Sequence, residues 1–108
     1  MSTNYLLAFT THPDQAAATA MAKVLVEQKL AACVNIIPGL TSVYRWQDTI
    51  ETDAEVLMLI KTRHDQIDAL IETIRQQHPY ELPEIIAVPI TYGLEAYLAW
   101  IDQSTRAE

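Results

Sequence analysis

Apolar positions along this chain switch between a strand-like and a helix-like period, and the order of the switches predicts the fold. Tyr5-Leu6-Leu7-Ala8-Phe9-Thr10 is a short apolar run rich in strand formers, closed by Thr11-His12-Pro13-Asp14. Apolar residues then recur at Ala17, Ala20, Met21, Val24 and Leu25, the stripe of a helix with one buried face. Pro13 suits its first position and Asp14 the positive end of its dipole. His12, beside them, reads as a solvated turn residue. The helix fades by Lys29, and Ala32 to Ile37 begins a strand that Pro38-Gly39 interrupts and Thr41 to Trp46 resumes. After the turn Gln47-Asp48-Thr49, a second extended arm runs from Ile50 to Lys61. Its first half alternates; from Val56 to Ile60 it is continuously apolar, as for a strand covered on both faces. The arms form one long hairpin whose tip, with Tyr44 and Trp46, extends beyond what a small domain covers.

Thr62-Arg63-His64-Asp65 has the form of a capping box, a carboxylate three residues after a threonine. Ile67, Leu70, Ile71 and Ile74 then mark the buried stripe of a second helix, with His64 at its exposed start. Next comes His78-Pro79-Tyr80-Glu81-Leu82-Pro83-Glu84. Pro79 and Pro83 fix their own φ and push the preceding residues towards extended conformations. This segment is a stiff connector into a strand from Ile85 to Ile90. Stiff connectors with polar side chains hold binding groups at defined angles, although a rigid loop that merely aims a strand has the same composition. After Gly93, Leu94, Tyr97, Leu98 and Ile101 recur at helical spacing with Trp100 beside them, a short third helix.

The order β-α-β-β-α-β-α predicts an α+β fold, a ferredoxin-like sandwich with two helices on one face of an antiparallel sheet. Right-handed crossovers place the first and third strands centrally and the second and fourth at the edges. The prolines agree, since Pro38 and Pro89 fall in the edge strands and the central pair has none. Residues 1–108 make a single domain. Its outer sheet face, two open edges and overlong hairpin tip invite association, so a closed oligomer is expected.

Composition narrows the function classes. Seven basic against fourteen acidic residues give a formal net charge of −7, which leaves no basic stripe for nucleic acid. The single Cys33 forms no internal disulfide, which favours a reducing, cytoplasmic compartment. Met1-Ser2-Thr3-Asn4 lacks the basic start and apolar core of a signal peptide, and no apolar run reaches membrane-spanning length, so no direct membrane insertion is expected.

Several segments together resemble the CutA divalent-cation tolerance proteins. They are Leu30-Ala31-Ala32-Cys33-Val34-Asn35-Ile36, Pro38-Gly39, Tyr44-Arg45-Trp46, Glu55 with Lys61-Thr62, the His78 to Glu84 connector, and Tyr97-Leu98-Ala99-Trp100-Ile101. The resemblance runs from Tyr5 to Ile101. It implies a ferredoxin-like fold, a tight homotrimer shaped like the PII signalling proteins with clefts between subunits, a role in tolerance of copper or other divalent metals, and no enzyme reaction. Some relatives hold copper through a cysteine at the end of the first strand and adjacent histidines before the Pro-Tyr pair. The corresponding positions here are Thr10, Gln77 and His78, so only His78 is carried over as a metal ligand, with Glu81 as a carboxylate neighbour. One His and one Glu make a weak, exchangeable site for Cu2+ or another divalent cation.

Cys33, Lys61, Tyr80, Glu81 and Glu84 are the expected lining of an inter-subunit cleft. Cys33 also reads as a small core thiol. Lys61 ends a central apolar strand and needs a partner, for which Glu84 or Glu55 is the candidate. The competing functions are a scaffolding trimer with an unidentified protein partner and a small-ligand sensor unrelated to metals. An enzyme using His78, Glu81 and Glu84 is the weakest reading, since no nucleophile and base stand at a recognisable spacing.

Overall fold

Alternation along the first strand decides where the core lies. In β1 (Tyr5–His12) Leu6, Ala8, Thr10 and His12 are buried, while Tyr5, Leu7 and Phe9 on the other face are half-buried. The computed structural model describes residues 4–106. The remaining elements are α1 (Gln15–Glu27), β2 (Cys33–Trp46), β3 (Thr49–Arg63), a 3₁₀ turn (His64–Gln66), α2 (Ile67–Gln77), β4 (Ile85–Pro89) and α3 (Glu95–Ser104). They form one antiparallel sheet in the order β2-β3-β1-β4, so the expected α+β arrangement, with its central and edge strands, is the observed one.

The inner face packs Ala8, Met58 and Ile60 against Met21 and Leu25 of α1 and Leu70 and Ile74 of α2. Each fully buried leucine or isoleucine there contributes about 1.5–3 kcal/mol. Helix α1 is rotated relative to the sequence expectation: Ala18, Met21, Ala22 and Leu25 are buried, and Ala17 and Ala20 are exposed. Alanine fits either face, so composition could not fix the rotation. Asp14 is the N-cap and accepts a hydrogen bond from Ala17 N at 2.9 Å.

The capping box did not form. Thr62 still belongs to β3, and its hydroxyl donates to Leu30 O at 2.6 Å, tying β3 to the α1–β2 link. Helix α2 instead starts after the 3₁₀ turn, with Gln66 as N-cap and no side-chain bond. Strand register explains the miss, because Leu6 pairs with Thr62 and Tyr5 with Arg63. The ladder with β1 keeps these residues extended.

The long hairpin is present. Pro38-Gly39 does not interrupt β2; the extra residue is absorbed as a bulge between Ile37 and Leu40, with Gly39 at φ 85°. The tip, Gln47-Asp48, has φ of 50° and 67°, the left-handed pair that a two-residue turn demands. Beyond the bulge Val43, Tyr44, Trp46 and Ile50 are exposed. The chain measures 44 × 27 × 23 Å, and an axis that long reflects an arm overhanging the core.

Helix α3 lies on the outer face at the end of β3, where Arg63 Nε donates to Thr105 Oγ1 at 2.8 Å and Ile101 is fully buried. Its Tyr97 and Trp100, which spacing alone assigns to packing, remain 38% and 43% exposed in this chain.

Candidate functional site

Two polar clusters stand at opposite rims of the sheet. The first gathers where β1 ends and the proline connector crosses it. His78, at the C-cap of α2, is buried. Its Nε2 donates to Thr11 O at 2.6 Å, and its Nδ1 accepts from Tyr80 N at 3.1 Å, which orients the ring with Nε2 as the donor. Tyr80 then donates its hydroxyl to Glu55 Oε2 at 2.8 Å, and Ser42 donates to Glu55 Oε1 at 2.6 Å. Glu55 is thus a buried carboxylate satisfied by two hydroxyls. Burial, and then the bond to Glu55, push the Tyr80 phenol well above its ordinary pKa. Further along the arm Tyr44 donates to Asp53, and that bond is the main cause that pushes its pKa up to about 12.

His12 belongs to this cluster and is not a solvated turn residue. It is 3% exposed, its Nδ1 accepts from Asp14 N at 3.0 Å, and its ring lies 5.0 Å from that of His78. Alternation in β1 would have found it, since position 12 shares the inner face with positions 6, 8 and 10. Burial, followed by the nearby His78, holds the His12 pKa below 6.5, against the opposing pull of Asp14 and Glu55. A lowered pKa means that the unfolded chain binds the proton more readily. Stability from His12 is therefore complete above about pH 6.5 and is lost as pH falls towards the lower folded value. The urea midpoint is expected to drop on acidification through this window, and less steeply in His12→Gln. Equal slopes for the two proteins would exclude His12 as a source.

As a metal centre the cluster is sparse. Both nitrogens of His78 are engaged, so a metal at either would have to displace a hydrogen bond. Gln77 is exposed at the end of α2, while Thr10 is fully buried with its hydroxyl unpartnered. Glu81 and Glu84 are exposed and make no side-chain hydrogen bond or ion pair among the described residues. Among the described residues no three His, Cys, Asp or Glu side chains converge on a common point.

The second cluster is built on β2 and β3. Lys61 pairs in register with Cys33 and Leu7 on the outer face. It meets neither Glu84 nor Glu55, contrary to expectation. Its ammonium donates to Asn35 Oδ1 and lies 3.9 Å from Cys33 Sγ. Glu55 is six residues back along the same strand, roughly 20 Å at 3.3 Å per residue, and is held by Tyr80. Cys33 is half-exposed and lies outside the core. The Tyr97 phenol sits against it, and burial and the thiol together raise its pKa. The expected cleft residues thus separate within one chain into Cys33 with Lys61 and, at the other rim, Tyr80 with Glu81 and Glu84.

The family described as CutA1 divalent ion tolerance protein matches residues 6–104. This chain belongs to that family. "Protein CutA" of Mus musculus is 48% identical over 100 residues, covering 93% of this chain and 56% of its own length. This chain therefore spans about half of that relative. "Divalent-cation tolerance protein CutA" of Thermus thermophilus is 48% identical over 95 residues, covering 88% of this chain and 92% of its own. The crystal structure of CutA from Xylella fastidiosa superposes with a TM-score of 0.93 at 45% identity, over 95% of this chain and 99% of that one. The CutA1 match spans every strand and helix described here except the first residue of β1, so the resemblance read from the sequence segments extends to the whole domain. No helix among the described residues is long and apolar enough to cross a membrane.

Proposed function

We propose that this chain serves divalent-cation tolerance as a homotrimeric binding module, cytoplasmic and without a reaction of its own. The observation that carries this reading is the hairpin. Its distal arm exposes Val43, Tyr44, Trp46 and Ile50, and β4 exposes Ile86 and Val88, and none of the described residues covers them. Such surfaces on an edge strand favour closure by further copies. Sedimentation equilibrium is expected to give three times the 12.2 kDa chain mass. A stable monomer would overturn the assembly.

Copper belongs to the proposal only as a weak ligand. An imidazole already bonded at both nitrogens, with exposed Glu81 nearby, supports Cu2+ binding no tighter than about micromolar. Calorimetric titration showing stoichiometric nanomolar binding that vanishes in His78→Ala would reverse this. Metal response would then rest on a dedicated site in place of a fold-level role.

A further inference from the structure

The hairpin arm and the body of the sheet meet at one rung. β1 pairs with β3 from Tyr5 opposite Arg63 to His12 opposite Val56, so Glu55 is the first residue of β3 without β1 beside it. Glu55 lies opposite Leu40, the first rung beyond the bulge in β2, where Gly39 takes φ 85°. From this rung outwards the arm is a two-stranded ribbon. Such ribbons twist more than wider sheets and are marginally stable alone. The bulge adds a bend at the same place. Loss of the third strand and the bend coincide, which makes this rung a pivot.

One polar contact spans the pivot from outside the hairpin. Tyr80 Oη donates to Glu55 Oε2 at 2.8 Å, while Ser42 Oγ, on the arm itself, donates to Oε1 at 2.6 Å. The bonds of Tyr44 to Asp53 and of Thr49 to Gln47 stay within the arm. Among the described residues no other hydrogen bond or ion pair from outside the hairpin reaches residues 40–55. Tyr80 is itself held, since its amide donates to His78 Nδ1 and His78 Nε2 donates to Thr11 O on β1. Pro79 stiffens the step between them. A brace therefore runs from the end of β1, through the connector, to the first rung of the arm, with every link made inside one chain.

We propose that Tyr80 is a positioning residue for the arm: its hydroxyl, bound to Glu55, braces the ribbon at the pivot and fixes the direction in which Val43, Tyr44, Trp46 and Ile50 are presented. A hydroxyl on a carboxylate is a charge-assisted bond, about twice as strong as a neutral one, and Glu55 is buried where water competes little for it. An arm already aimed spares association the cost of ordering it. That consequence rests on the trimeric reading; the brace itself does not.

The test measures amide residual dipolar couplings of the full chain in a weakly aligning medium, for the wild type, Tyr80→Phe and Ser42→Ala. Ser42→Ala is the control: it also takes one hydroxyl from Glu55 but leaves the tie to the connector. In the wild type, arm residues 43–53 and the four-stranded core are expected to fit one alignment tensor. In Tyr80→Phe the core still fits, which shows that the variant folds, while the arm couplings shrink together. In Ser42→Ala the arm follows the core as in the wild type. Sedimentation of the same samples on dilution is expected to show about fivefold weaker association for Tyr80→Phe, the equivalent of one lost hydrogen bond. The proposal is overturned if the Tyr80→Phe arm still fits the core tensor, or if Ser42→Ala loosens the arm as much. Unchanged association with a loosened arm would overturn the consequence for assembly. A monomeric wild type would overturn the trimeric reading alone, and the couplings would still decide the brace.

Discussion

Replacing His78 with alanine is expected to cost about 3 kcal/mol of stability. The ring fills a buried position and satisfies two main-chain groups, the Thr11 carbonyl at 2.6 Å and the Tyr80 amide at 3.1 Å. A buried group left without its partner costs roughly 1–3 kcal/mol, and two are left here, besides the packing of the ring against His12 and Tyr80. Tyr80→Phe is the companion variant. It keeps the His78 clasp and removes only the hydroxyl on Glu55, at a cost of about 1 kcal/mol. Urea unfolding at one fixed protein concentration measures both, since stability of an assembling chain depends on concentration. A loss in His78→Ala no larger than that in Tyr80→Phe would mean that the clasp is dispensable and that the prolines alone hold the connector.

On the proposed assembly, Trp46→Ala should weaken association far more than it destabilises the subunit. Trp46 stands at the last rung of the hairpin, opposite Thr49, beyond the reach of the helices, and is 38% exposed in the single chain. A large aromatic at the end of an arm finds its burial in a neighbour, where truncation of such a residue typically removes about 2 kcal/mol or more per interface. That is roughly a thirtyfold weaker association, visible as a shift from trimer to monomer on dilution. Val26→Ala is the control, an exposed apolar residue on the opposite, helical side of the sheet. If Trp46→Ala remains trimeric on dilution and melts with the wild type, the arm tip contributes nothing to assembly.

The parts of this fold legible in the sequence were those where a period or a proline acts alone. Alternation in Tyr5 to Thr10, the long hairpin arms, and the confinement of Pro38 and Pro89 to edge strands all follow from local rules, and topology followed from their order. The errors arose where a tertiary partner outweighed the local signal. Thr62 has the side chain of a helix cap, but the β1 ladder and Leu30 O hold it in a strand. His12 looks like turn punctuation, yet the inner-face parity of β1 buries it beside His78. The partner of Lys61 is hidden in the sequence, because spacing says nothing of register. Once Cys33 is set opposite Lys61, Asn35 becomes the diagonal neighbour on the same face.

The two-residue tip at Gln47-Asp48 also bears on how quickly the chain can find this shape. Every rung of the hairpin, from Trp46 opposite Thr49 outwards, adjoins one already formed, so each new pair closes almost no additional loop. The arms can zip from the turn without waiting for any other element. By contrast, β1 reaches its place between β3 and β4 only after α1 and the hairpin have been brought round, and β4 has only β1 to pair with. Insertion of β1 is therefore the step expected to be slow, and before it the β3 edge would be open to pairing with any extended segment nearby.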